Sequence, residues 1–152
     1  MNEQTEQDPW VIRTDFTNHK VWQEVCDQIA TPQGDDGFIA YVRYIDDPGY
    51  RDQIPSEVAQ SLPDTYADRF CFIVDRKCIT TQEHPILVVG FYPSDDESFD
   101  RLPRHTPLSG IRTFRAVPAQ VQSIENNLSL ANMDFEEFTD AVDSDGVFRG
   151  FR

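Results

Sequence analysis

The stretch Ile124-Glu125-Asn126-Asn127-Leu128-Ser129-Leu130-Ala131-Asn132-Met133-Asp134-Phe135-Glu136-Glu137-Phe138 holds two amphipathic segments and the break between them. Pro118, just upstream, suits a first helical turn, where its missing N–H leaves no bond unmade. Val121, Ile124 and Leu128 then recur at helical spacing and form one apolar stripe. Asn126 and Asn127 disfavour continuation, because their short amides compete for backbone partners. Asp134 is placed to cap a second helix, with Glu137 three residues on to complete a capping box. Phe135, Phe138 and Val142 face one way on that helix; Glu136, Glu137, Asp140 and Asp143 face largely elsewhere. Thr113–Val117 before the block and Val147-Phe148 after the Asp145-Gly146 turn both read as strands.

Working outward, the phrase from Ile124 to Phe138 and the ending Asp145-Gly146-Val147-Phe148-Arg149-Gly150-Phe151 together resemble an uncharacterised bacterial family, a domain of unknown function. Val11-Ile12-Arg13-Thr14-Asp15-Phe16 and His84-Pro85-Ile86-Leu87-Val88-Val89 are similar to that family too. The likeness covers nearly the whole chain, apart from the first nine residues and the region from Ser94 to Ser109. It implies no activity and carries over no catalytic residue.

Upstream, Trp10–Arg13 is a short strand. A helix follows, capped by Asp15 or Thr17, with Val21, Trp22, Val25, Cys26 and Ile29 as its apolar face. Phe38–Ile45 is apolar on both faces, the pattern of a central strand. A short helix runs from Ser56, its cap, to Leu62. Arg69–Asp75 and Ile86–Tyr92 are continuous β-branched and aromatic runs. The link between them, residues 76–84, is too short for a full crossover helix, so that pair is antiparallel. The expected architecture is α/β or α+β: a single mixed sheet of about five strands covered by helices. Residues 1–9 form a disordered acidic tail and residues 10–152 one globular domain.

Eleven Phe and 12% aromatic content supply a core despite the charge. No apolar run approaches the ~20 residues that span a bilayer, and the polar, acidic start is unlike a secretory leader. Cys26, Cys71 and Cys78 show no paired spacing and read as reduced thiols of a cytoplasmic protein. A formal net charge of −14 disfavours nucleic acid as a partner. It suits a basic protein partner, or solubility alone.

Four constellations carry chemistry in principle. Asp15, Asp46, Asp47 and Asp75 each follow a strand-like run. If the strands are parallel, these carboxylates gather where open α/β sheets bind ligands, in a set suited to Mg²⁺ and phosphate. Against this, Asp ends strands because it caps helices and makes turns, and no Gly-rich phosphate loop follows the first strand. Arg101, Arg104, His105, Arg112 and Arg115 form a basic run in an acidic chain. They either grip an anionic ligand or pair with the acidic helix that starts at Asp134. Cys71, Cys78 and His84 match no zinc spacing, and Asp143-Ser144-Asp145-Gly146 lacks the ligands of a calcium loop. No metal or cofactor is therefore expected.

Two functions follow as expectations. The first is a non-enzymatic, inhibitor- or immunity-like interaction domain that presents Glu136, Glu137 and Asp140 to a basic partner. The second is a small-ligand or Mg²⁺-dependent phosphate-handling enzyme with an Asp- or Arg-lined cleft. The sequence leaves the oligomeric state open.

Overall fold

The computed structural model describes residues 8–33, 37–63, 65–66, 68–91, 111–130 and 132–151. Among these residues, six strands form one mixed sheet in the order β2-β1-β3-β4-β5-β6. They are β1 (Trp10–Arg13), β2 (Arg43–Ile45), β3 (Phe70–Val74), β4 (Ile86–Gly90), β5 (Arg112–Ala116) and β6 (Val147–Phe148). The helices are α1 (His19–Ala30), α2 (Pro55–Ser61), α3 (Arg76–Thr80), α4 (Val121–Ser129) and α5 (Phe135–Thr139). Strands β2, β1 and β3 are mutually parallel, β4 is antiparallel to both neighbours, and β6 runs parallel to β5.

The chain leaves β1 through α1 to β2 on one side, then returns through α2 to β3 on the other side of β1. Crossovers of one hand that move in opposite directions place their helices on opposite faces of a sheet. The packing shows this division. Trp22, Val25 and Ile29 of α1 pack with Val11, Phe72, Val74 and Val88 on one face, while Val58 and Ala59 of α2 join Ile12, Cys71, Ile73 and Val89 on the other. Every residue of β3 and β4 is buried, because side chains that alternate along a strand covered on both faces all leave solvent.

Helices α4 and α5 share the face of α1. Phe135 and Phe138 bury in one cluster with Val121 and Ile124, and the partly buried Leu128 and Val142 pack against it. Phe138 stacks on Phe114 at 6.1 Å and meets Phe148 edge-on at 5.2 Å. Two buried polar side chains tie this layer together. Gln33 donates through Nε2 to the carbonyls of Ile29 (2.9 Å) and Pro118 (3.1 Å), and its Oε1 accepts from the Gln122 N–H at 3.0 Å. Glu125 accepts from the Tyr41 N–H and the Ser129 hydroxyl, both at 2.9 Å.

The expected single mixed sheet covered by helices is present, with six strands among the described residues; other sequence expectations need correction. Only Arg43–Ile45 of the apolar run 38–45 joins the sheet, at the edge and not at the centre. Phe38 and Tyr41 are largely exposed, so apolar character on both sides of that run reflects surface aromatics rather than double burial. Asn18, not Asp15 or Thr17, caps α1 by accepting from the Val21 N–H. Ile54 stands at the cap position of α2 with Pro55 in its first turn, and Glu57 reaches back to the Ile54 N–H. The link 76–84 holds the short helix α3, and β3 and β4 are antiparallel as the link's length requires. Tyr92 and most of the expected tail lie outside the described residues.

Candidate functional site

Because β2, β1 and β3 are parallel, their carboxyl ends lie on one edge of the sheet. That edge therefore collects Asp46 and Asp47 after β2, Thr14 and Asp15 after β1, and Asp75 after β3. The strand order reverses between β1 and β3, since the chain leaves one towards β2 and the other towards β4. Strands whose connections depart in opposite directions leave a crevice between them, the usual ligand position in open α/β sheets.

A cleft of about 260 Å³ lies there. Thr14 and Asp15 from the end of β1, with Asp75 and Arg76 from the end of β3, form part of its lining. Asp52, Gln53, Ile54 and Pro55, leading into α2, add a second part. The sheet contributes Ile73 and Leu87 from the face that α2 covers. Thr14 holds the cleft's frame. Its N–H donates to the Val74 carbonyl at 3.1 Å, and its own carbonyl accepts from the Asp52 N–H at 2.8 Å.

Asp52 has φ +60°, and His84, also on this edge, has φ +52°. They are the two non-glycine residues with positive φ among the described residues. Asp and His are among the few residues that tolerate this region, at some cost in strain. Gln53 Nε2 donates to the Gly49 carbonyl at 3.3 Å, while its Oε1 is buried and accepts no hydrogen bond from the described residues. An acceptor left so is stabilised only when something else supplies a donor.

The four aspartates divide their roles. Asp15 is 4% exposed, and its Oδ1 accepts from the N–H and hydroxyl of Thr17. Asp47 accepts from the Gly49 N–H at 2.9 Å and so starts a single 3-10 turn at Pro48–Tyr50. Asp46 meets Arg13 at 3.2 Å. Asp75 caps α3 through the Cys78 N–H at 3.1 Å and binds Arg115 in a two-pronged pair of 2.9 and 2.7 Å. Only Asp15 and Asp75 line the cleft. No group of three or more His, Cys, Asp and Glu side chains is disposed to hold a metal ion among the described residues.

The basic run is likewise divided. Arg115 joins β5 to the end of β3 and to the Pro85 carbonyl at 3.0 Å. Arg112 pairs with Glu136, linking β5 to α5. Arg101, Arg104 and His105 lie outside the described residues. On α5, the carboxylate of Glu137 accepts from the Asp134 N–H at 3.0 Å, and Asp140 is exposed at the helix end. Asp143 and Asp145 both bind Arg149 at 2.7 Å, and Arg149 also holds Glu83.

Sequence reasoning missed Asp52, Gln53 and Arg13. The guanidinium of Arg13 is buried against the rings of Phe16 (4.4 Å) and Trp22 (5.5 Å), and bonded to His19, Asp46 and the Asp15 carbonyl. An arginine in a strand that is otherwise apolar was the available signal. For Asp52 and Gln53 no local pattern existed, because only the return of the chain over β1 brings them to the edge. The thiols are inert by position: burial pushes Cys26 up to about 12, and pushes the Cys71 and Cys78 thiols up as well.

A family model for a domain of unknown function, DUF6924, matches residues 8–151. The chain belongs to this family. The DUF6924 match begins two residues before β1 and ends three residues after β6, so it takes in the whole described sheet and both parts of the cleft. No curated protein matches the chain. Among the described residues of this DUF6924 domain no helix is long and apolar enough to cross a membrane.

Proposed function

We propose that this DUF6924 domain binds a small molecule in the cleft between the carboxyl ends of β1 and β3. One observation carries the reading: the cleft lies where the strand order reverses, lined by the ends of both parallel strands. The strained Asp52 backbone supports it, since strained backbone concentrates where a ligand completes the structure. We assign the protein to the bacterial cytoplasm, as a single domain over residues 10–152. Three cysteines without a disulfide support a reducing compartment.

The test is thermal denaturation against a panel of small metabolites sorted by charge, for the native chain and Ile54→Trp. Ile54 lines the cleft and is 58% exposed, so an indole there fills space without entering the core. A ligand that binds only the folded state raises the melting midpoint. It should do so for the native chain and not for Ile54→Trp. Equal shifts in both, or none in either, refute the reading.

Charge supports a second reading, association with a basic protein. Six acids and no base lie between Asp134 and Asp145, but Glu136, Asp143 and Asp145 already face Arg112 or Arg149. Replacing Glu136, Glu137 and Asp140 by Gln, Gln and Asn should slow association with such a partner in low salt. An association rate indifferent to both salt and these changes removes this reading.

A further inference from the structure

We propose that the cleft selects small organic cations, an ammonium head with an aliphatic body; this rests on the cleft being a ligand site at all. The polar atoms around the cleft are unequally committed. Its donors are mostly spoken for: the Thr14 N–H is bonded to Val74, the Asp52 N–H to Thr14, and Gln53 Nε2 to Gly49. Asp75 is committed as well, with both carboxylate oxygens on Arg115 and one also on the Cys78 N–H.

What remains is acceptors. Asp15 is 96% buried, and only its Oδ1 accepts from the protein among the described residues, leaving Oδ2. Asp52 is exposed at the cleft and brings a further carboxylate. Among the described residues, the one cation in the lining is the exposed Arg76. An alkylammonium has three donors and no acceptor, the complement of this set. An anion would gain Arg76 alone while facing two carboxylates. The sheet residues Ile73 and Leu87, with Ile54 and Pro55, supply apolar surface for a short carbon chain.

The experiment is an amide-shift NMR titration with three probes of equal chain length, n-butylammonium, n-butanol and butyrate, together with inorganic phosphate and Mg²⁺. The expected result is a saturable shift of the Thr14, Asp52 and Gln53 amides with n-butylammonium alone, absent in Ile54→Trp. Asp52→Asn keeps a residue that tolerates positive φ and removes the charge. Asp52→Asn should weaken n-butylammonium about tenfold or more, as loss of a charged hydrogen bond does. Saturable binding of butyrate, phosphate or Mg²⁺ at the same amides overturns the cation assignment and leaves the cleft reading standing. Binding that survives Ile54→Trp, or no shift with any probe, overturns both.

Discussion

Asp68, just before β3, shows how one side chain sets a pH response. Its carboxyl is pushed up from 3.8 to about 7, first by burial and then by the charges of Asp8 and Glu125. Glu125 is raised in the same direction, again chiefly by burial. A carboxyl whose folded-state pKa lies above its unfolded value binds its proton more tightly in the folded chain. Its contribution to stability is thus full below about 3.8 and lost as pH rises through about 7. Asp68→Asn, which stays neutral, should flatten that response. Urea midpoints measured from pH 5 to 8 should fall with pH in the native chain by more than in the variant; parallel curves would exclude Asp68 as the cause. Phe138 sits at the other extreme, fully buried among Phe114, Phe148 and Phe151. Phe138→Ala should cost about 3–5 kcal/mol in chemical denaturation, and an unchanged midpoint would mean that α5 does not contribute to the core.

Between elements, close approach matters more than intrinsic preference. Helix α5 has five residues, too few to stand alone in water, so its stability comes from lying against the sheet. Gly90 permits that contact. A Cβ built there would come within 2.9 Å of the Phe135 ring, and Phe135 is itself wedged against Phe114 at 5.0 Å. Gly90→Ala should therefore lift α5 and cost about 1–3 kcal/mol, the usual range for overpacking. Hydrogen exchange would show the loss first in residues 135–139. Exchange there that matches the native chain would contradict this account. Legibility in the sequence follows the same division. The start at Phe135 and the reach of Glu137 to the Asp134 N–H were readable, because each depends on residues three or four apart, whereas Asn126 and Asn127, read as disfavouring continuation, lie inside α4, which runs on to Ser129. The contact between Gly90 and Phe135 spans 45 positions and has no local signature.

For the molecule as a whole, the mixed sheet was legible because alternation and run length mark strands individually. The strand order was not, since nothing in Trp10–Arg13 says that it pairs on both sides. The candidate site shared that fate. Asp15 and Asp75 were visible as residues that follow strands, whereas Asp52 and Gln53 joined them only through the return of the chain across β1. The net charge of −14 also acts at this scale. Self-repulsion opposes compaction and is screened over ~8–10 Å at physiological ionic strength. Raising NaCl from about 20 to 300 mM should raise the melting midpoint of the native chain, even though the arginine pairs of Arg149 and Arg115 weaken with salt. A midpoint that falls with salt would show that those pairs outweigh the repulsion.

The position of β1 also bears on how the polypeptide emerges from the ribosome. Its second neighbour, β3, is reached only at Phe70–Val74, and the Thr14 N–H meets the Val74 carbonyl. While the intervening segment is being made, β1 with β2 is a two-stranded fragment whose inner edge bears Val11 and Ile12, side chains that end fully buried. An open apolar edge of this kind invites pairing with other chains. Nascent chains stalled between α2 and β3 should therefore depend on chaperones, and that dependence should end once β3 and β4 clear the exit tunnel.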